Sequence, residues 1–500
     1  MKKSKTLLGI DIGTSGLKAS LFDLSGNMLA TAYRPSVYLP LPAGHMEQEA
    51  KGWWGNLCSV LSEIFSRTDV TADCVAGIGI CGFHHCPVFL KEDGQPARPV
   101  MLLHDERLPK RRAKLEQTGI LAQVEGLTES MVSAGHFPPI FHYIAGNDPE
   151  GLKRTRWIVL AKDYLRFELT SSIGTEVCDA TGLNLIEPKQ SEWSKQLCQL
   201  LSVPIEILPS IANPADIAGY VTRTAAEQTG LVVGTPVVYG GGDSHCALLG
   251  LGCIQNGDTG LLLGTNSTLR TVFDDFVSHP QIRMWVQHHV VPNHYTVSAS
   301  SMAGASVLGW FRQNFIHNKQ GNNEDSQMLE NSVAGSPIGS DKLVFLPYIY
   351  GERCPFYAPD ASGAFLGIKH WHKVGHFLRS IMEGVALNIA NCFDLIQDCC
   401  KLHNTTVEHL RLGGGGSKTT LWHQIISDSL NQPIRIMNTE EAGTLGAALL
   451  AGIGTGIYTD YRQAVDEAVR VRRIIEPNSK NHIIYLELKN KLNDLYGRIQ

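Results

Sequence analysis

The chain has 500 residues, 43% hydrophobic and 18% charged, a soluble globular balance too long for one ordinary core, so two domains of about 200–250 residues are expected. A formal net charge of −5 and a pI near 6.4 exclude a general electrostatic pull toward nucleic acid or anionic membrane. The longest apolar runs are strand-length, far short of a membrane span, and twelve scattered cysteines without a CxxC pair read as free thiols in a reducing cytosol.

In chain order, MKKSKTLLGIDIG has a basic flank but too few apolar residues before Asp11 for a signal peptide. LLGID predicts a strand, Gly13-Thr14-Ser15 a tight turn, and KASLFD the returning strand. The β-type runs VAGIGICGF, PVFL and RPVMLL follow. A GxGxxG pattern at Gly77, Gly79 and Gly82 sits inside a strand and leads to Phe83-His84-His85 instead of a helix, so its dinucleotide context is missing. Further on, VVYGGGDSHC stops a β-branched run at three glycines and presents Asp243, followed by Ser244, His245 and Cys246. A domain boundary is expected in GLGCIQNGDTG (250–260), dividing the chain into 1–253 and 254–500.

The second half opens with an echo of the first. GTSGLKASLFD (13–23) aligns without a gap on GTNSTLRTVFD (264–274), with Gly, Thr, Phe and Asp identical at four positions. The offset is about half the chain, too long for a solenoid period, and points to a duplicated domain that begins each time with a strand–turn–strand hairpin. From His376 to Cys400, apolar residues at Phe377, Ile381, Val385, Ile389 and Ile396 recur at helical spacing. HLRL predicts a strand that runs through L412-G-G-G-G-S417 into a helix, TLWHQIISDSL. Strands mixed with helices argue for α/β layers.

A Walker loop fails here, because G413-G-G-G-S-K-T419 puts Ser417 between the last glycine and Lys418. The two Gly-Thr turns, D11-I-G-T-S15 and G264-T-N-S267, remain as sources of backbone N–H groups and hydroxyls for phosphates. Asp11, at a strand end beside the first turn, is placed to hold Mg²⁺ directly or through water. The glycines of 412–417 would let a base or phosphate approach a helix N-terminus. Any one of these is equally an ordinary tight turn; their recurrence favours the phosphate reading. Asp243 suits a carboxylate that accepts a hydroxyl proton in phosphoryl transfer, the alternative being a cap on a helix starting at Ser244. His245 and Cys246 are adjacent without further ligands at zinc spacing, and neighbouring side chains diverge, so neither a metal site nor a nucleophile–base pair fits.

These segments resemble the FGGY carbohydrate kinases nearly end to end. The most specific match is G363-A-F-L-G-I, then seven residues, then H376-F-L-R-S-I-M-E383; GIDIGTSG, GGGD (240–243), LPYIYGER (346–353) and GGGGS-x4-W (413–422) agree with it. Within that family the layout is most similar to xylulose kinases, in AKDYLRFELT (161–170), C178-D-A-T-G182 and GGGDSH. Two departures stand out. The upstream family signature, which carries a Lys and a Trp, falls near G135-HFPPIFHYI144 with neither residue, and F83-H84-H85-C86 stands where xylulose kinases typically show Gln-Met-His-Gly.

The resemblance implies two duplicated RNase H-like domains of the actin/Hsp70/hexokinase type with an ATP/sugar cleft between them, the sugar on 1–253 and ATP on 254–500. It implies Asp243 as general base, Asp11 and Asp243 toward Mg²⁺, and His84, His85, Asp105, Asp243 and Ser244 toward the sugar. Gly13, Thr14, Ser15, Lys18, Gly264, Thr265, Asn266, Gly414, Gly415 and Ser417 fall to the nucleotide. His84 and His85 follow a strand, so alternating directions are expected. Trp53 and Trp54 read as a sugar wall or as core, and Glu352 with Arg353 as cleft-ordering or as a structural ion pair. The expected activity is ATP-dependent phosphorylation of a small sugar, a xylulose-like ketose first and a polyol or sugar acid next. The rivals are an actin- or Hsp70-like ATPase and a catalytically silent sugar sensor. A cytoplasmic protein is expected, with sugar and ATP as its partners, without nucleic acid or membrane, and with a homodimer allowed.

Overall fold

The computed structural model describes residues 5–279, 284–316, 331–414 and 419–499. The chain divides into two compact units. The first comprises Met1–Ile254, Phe273–Thr296 and Glu441–Arg470, the second Gln255–Val272, Val297–Glu440 and Val471–Gln500.

In the first unit, β1 (Thr6–Gly13), β2 (Gly16–Asp23), β3 (Met28–Pro35), β4 (Val75–Gly82), β5 (Ile217–Tyr220), β6 (Pro236–Val238) and β7 (Gly241–Gly242) form one sheet. Its order is β5-β6-β4-β1-β2-β3, with β7 beside β4. β1 runs antiparallel to β2, with Gly13 opposite Gly16, and parallel to β4. β1 is covered on both faces, which explains its nearly continuous apolar run. Leu8, Ile10 and Ile12 join the core built around Trp53 and Leu57 of helix Ala50–Arg67. The alternate positions face helix Ala442–Gly454, where Leu7 packs with Leu445 and Ala448.

That second face is glycine-lined because the helix lies almost on the strand backbone. A Cβ on Gly9 would sit 1.8 Å from the Thr444 carbonyl oxygen, and one on Gly79 1.8 Å from that of Ala447. The glycines of the GIGICG run thus serve helix–sheet packing inside β4. Helix Asp243–Gly250 meets the same helix equally closely, Gly446 lying against the Cys246 carbonyl. Asp11 shares the Gly9 face and Asp243 begins the second helix, so this packing sets the position of both carboxylates.

In the second unit, β8 (Asp258–Leu263), β9 (Ser267–Phe273), β10 (Tyr295–Ser301), β11 (His409–Gly413), β12 (Ile434–Met437) and β13 (Val471–Ile475) run in the order β10-β9-β8-β11-β12-β13. β8 is antiparallel to β9 and parallel to β11, β11 is parallel to β12, and β12 is antiparallel to β13. The first unit repeats this grammar strand for strand: β4 is parallel to β6, and β6 antiparallel to β5. The internal echo therefore marks a duplicated sheet whose first two strands form the hairpin in each copy. The periodic stretch 376–400 lies within one helix, Val374–Leu402, against which Trp422 of helix Thr420–Leu430 packs, its Nε1 donating to the Met382 carbonyl at 3.1 Å.

Candidate active site

In the first unit the glycines before Asp243 have separate reasons. Gly240 takes φ +83°, which L side chains rarely adopt, and a Cβ there would also strike the Ile80 carbonyl. A Cβ on Gly242 would lie 1.8 Å from His84 Cε1, so this glycine makes room for the imidazole. The helix starts at Asp243 itself, one residue before the expected Ser244. The Asp243 carboxylate accepts from the Ser244 N–H at 2.5 Å, and its side chain keeps 40% of its exposure. It is anchored yet open.

Behind it runs a buried polar chain. His84 Nε2 lies 3.7 Å from Asp243 Oδ1, and His84 Nδ1 2.7 Å from Asp179 Oδ1. His245, fully buried, reaches His84 Nε2 with Nδ1 at 3.3 Å and Thr296 with Nε2 at 3.2 Å. Asp179 Oδ2 pairs with Lys162 Nζ at 3.1 Å, and Asp163 holds the same ammonium at 2.7 Å. Burial works against the Asp179 charge, but Lys162 and His84 keep its carboxyl below the usual carboxylate range. Asp163, Asp179 and Glu176 in turn hold Lys162 charged against its own desolvation. An Asp179 carboxylate at Nδ1 fixes the His84 ring orientation beside the half-exposed Asp243.

The expected alternation of His84 and His85 does not occur. His85 adopts φ +72°, which breaks the strand period, and the two rings stay 5.5 Å apart on one cluster. His85 Nδ1 contacts the Gly182 carbonyl at 2.7 Å, and the ring stacks on His136 at 4.0 Å and 13°. His136 also lies 6.1 Å from the Trp285 ring. His136, Trp285, Lys162 and Asp179 were not assigned from sequence. His136 lies in the departed stretch 135–144, and the other two polar residues sit in the family-like segments around 162 and 179, where only their segment, not their role, could be read.

Asp11 lies on β1 opposite Lys18 on β2. Burial first, then the charge of Asp243, raises its carboxyl from 3.8 to about 7. Its Oδ1 is buried without a hydrogen-bond partner. An orphaned buried oxygen coupled to a second carboxylate is the hard donor set Mg²⁺ takes. Among the described residues no group of three or more His, Cys, Asp or Glu is arranged around a metal, so phosphate oxygens and water would complete such a shell. Lys18 pairs with Glu441 at 2.8 Å. The first Gly-Thr turn is braced through its carbonyls: Gln48 Nε2 donates to that of Thr14 at 2.7 Å, and Tyr33 Oη to that of Ser15 at 2.9 Å.

Three other residues have internal roles. Asp105 is 1% exposed; it accepts from the Met46 N–H at 2.7 Å and from Arg107 Nε at 2.8 Å and Nη2 at 2.6 Å, so its oxygens are taken up inside the protein. Trp53 is core, edge-on to Phe83 at 5.7 Å, and Trp54 Nε1 donates to Gln228 at 2.6 Å.

In the second unit the Gly264–Asn266 turn is held from below. Ala305 N–H donates to the Gly264 carbonyl at 2.8 Å and Ser306 Oγ to that of Thr265 at 2.6 Å. With its amide oriented to satisfy both neighbours, Asn266 donates to the Met302 carbonyl and accepts from Arg353 Nη2, each at 3.2 Å. Glu352, buried, accepts from Ser301 Oγ at 2.7 Å, the Met302 N–H at 2.8 Å and Asn388 Nδ2 at 2.8 Å. Glu352 and Arg353 thus brace the turn through different partners. Gly414, just past the end of β11, takes φ +97°, and a Cβ there would lie 2.6 Å from the Leu263 carbonyl oxygen at the end of β8; Gly415 and Ser417 lie outside the described residues.

A duplicated sheet of this topology, with paired carboxylates in one copy and two glycine loops in the other, defines the actin/hexokinase-like class, which holds sugar kinases and ATPases alike. Family membership separates them. The description "FGGY family of carbohydrate kinases" matches with its N-terminal domain over residues 6–250 and its C-terminal domain over 254–455, and the chain belongs to that family. It is 29% identical to a xylulose kinase of Bacillus subtilis (strain 168), over 99% of this chain and 96% of that one. It is 24% identical to an autoinducer-2 kinase of Photorhabdus laumondii, over 99% and 94%. The ligand-bound xylulose kinase of Lactobacillus acidophilus shares the fold, with a TM-score of 0.89 at 22% identity over 99% and 100% of the chains. FGGY sugar kinases use ATP with Mg²⁺, and no described helix is long and apolar enough to cross a membrane.

Proposed function

We propose that the protein transfers the γ-phosphoryl group of ATP to a hydroxyl of a small ketose of the xylulose type, with Asp243 as general base. The observation that carries this reading is the half-exposed Asp243 carboxylate at a helix start, cleared by glycines and backed by His84. A sugar hydroxyl within reach of Asp243 gives its proton to the carboxylate as its oxygen bonds to the γ-phosphorus, and the bond to the leaving ADP oxygen breaks. Mg²⁺, when bound, neutralises phosphate charge, and Asp11 with Asp243 would hold it. His85, stacked on His136, Ser244 and the neighbouring His84 orient the sugar. The first unit is assigned to the sugar, while Gly264, Thr265, Asn266, Gly414, Gly415 and Ser417 are assigned to the nucleotide. Gly13, Thr14, Ser15 and Lys18 are assigned to its phosphates. Asp105 contributes by fixing Arg107.

The substrate is set at Phe83-His84-His85-Cys86, where the residues depart from those of xylulose kinases. A cytoplasmic location agrees with the twelve cysteines, all free thiols. Whether the chain pairs into a homodimer is read by sedimentation. The central test is ADP release by wild type and Asp243→Ala across ketoses, polyols and sugar acids. One class should stimulate turnover, and the substitution should lower it by about 10²–10⁴-fold. Stimulated turnover that survives the substitution would falsify the assignment. An ATPase indifferent to every sugar, or binding without turnover, would favour the actin-like or sensor alternative.

A further inference from the structure

The first unit contains an open pocket of about 410 Å³ that shares only Arg107 with the residues named for the reaction. Its lining has one sign of charge in excess. Arg107, Lys110, Arg111 and Lys114 face it, against the single carboxylate of Glu106. The three or four residue spacing places these cations along one side of helix Leu108–Gln117 and its N-terminal flank. Lys110 and Lys114, at i and i+4, are exposed and form no ion pair with a carboxylate among the described residues. In a chain of net charge −5 this concentration of cations is a local feature.

The cavity is also built. Arg107 is fixed by Asp105 and by Glu47, the latter accepting from Nη2 at 2.6 Å. The Arg107 and Arg111 guanidiniums lie over the Tyr143 ring, 5.1 and 5.9 Å from its centroid. These contacts hold cations in place before any ligand arrives, which lowers the ordering cost of binding an anion.

We propose that this cavity is a second ligand site, which takes a phosphorylated polyol of sugar-phosphate type. The phosphate meets Lys110, Arg111 and Lys114, and the hydroxyls meet Glu106, Asn147 and His45, which complete the lining. Glu106 decides against a bare anion, because its carboxylate repels phosphate and accepts hydroxyl protons. Tyr143, the larger of the two rings in the lining, is already covered by Arg107 and Arg111, which disfavours a nucleotide base stacking there. The volume lies within the range of small-molecule sites and holds one such molecule. The proposal is independent of the reaction assigned to Asp243.

The test is calorimetry on the full chain with D-xylulose 5-phosphate, inorganic phosphate and D-xylulose as separate probes. Wild type should bind the sugar phosphate at two sites, and D-xylulose at one. Lys110→Ala/Lys114→Ala should lose the second site or weaken it at least about tenfold, since two charge-assisted contacts go, while turnover with saturating substrates stays unchanged. Asp243→Ala should keep the second site, which separates this result from the fate of the catalytic reading. Lys110→Gln/Lys114→Gln, which removes the charge but keeps a polar, unbranched side chain of similar helix propensity, guards against a folding defect. Retention of both sites in the lysine variants overturns the proposal. So does inorganic phosphate binding there as tightly as the sugar ester.

Discussion

His84 stands where the resemblance to xylulose kinases leads one to expect methionine, and its contacts show what the change entails. The imidazole occupies the space left by Gly242 and spans from Asp179 to Asp243. His84→Met would leave buried Asp179 with Lys162 but without its imidazole donor, at a cost of about 2 kcal/mol. The expected outcome is a lower melting temperature together with a kcat at least about tenfold lower, the loss appearing in kcat more than in KM. Equal melting and equal kcat would make the histidine a bystander. Asp11 supplies a pH effect of definite sign. Its carboxyl is raised from 3.8 to about 7 by burial and then by Asp243, so the folded chain keeps a proton that the unfolded chain releases between about pH 4 and 7. Stability is therefore lost as pH rises through that window, by at most about 4 kcal/mol from this group. In Mg²⁺-free buffer, Asp11→Asn should melt above wild type at pH 8, with the gap closing toward pH 5. Melting curves that differ by the same amount at both pH values would contradict the shift.

At the scale of elements, the hairpins and the long helix were legible because each carries a local signal: a nearly continuous apolar run in β1 that stops at a Gly-Thr turn, and helical spacing of apolar residues from 376 to 400. Helix Ala442–Gly454 had no such signal. AGTLGAALLAGIG is apolar on every side, so it has no face to read, and its role comes from glycines 200 to 440 residues away that let it lie on β1, β4 and helix Asp243–Gly250. The GIGICG run illustrates the same point, since a glycine pattern alone does not say whether a phosphate or a helix comes close. The brace under the second turn is likewise tertiary. Glu352 draws Ser301 and Met302 together with Asn388, from two stretches of the chain distant from its own. Glu352→Gln puts an amide N–H among donors, and the nucleotide KM should rise about tenfold with the sugar KM unchanged. A matched rise in both constants would mean that Glu352 supports the fold in general.

At the scale of the whole molecule, each unit has its own sheet and its own set of candidate ligand residues. Hydrogen exchange should separate them. Sugar alone should slow exchange around 83–86 and 242–246, and nucleotide alone around 264–266 and 301–306; the reverse pattern would exchange the assignments of the two units. Sequence by itself determined the class of fold, the duplication and the family, because these rest on local period, a gapless repeat and linear motifs, and it singled out Asp243 as the candidate base. It did not determine that His84 turns toward Asp179, that His85 and His136 stack, that Asp105 serves Arg107, or that cations gather over Tyr143. Those depend on side chains from distant segments meeting at hydrogen-bond or stacking distance, and only the packed sheet, with a helix resting on its glycines, brings them there.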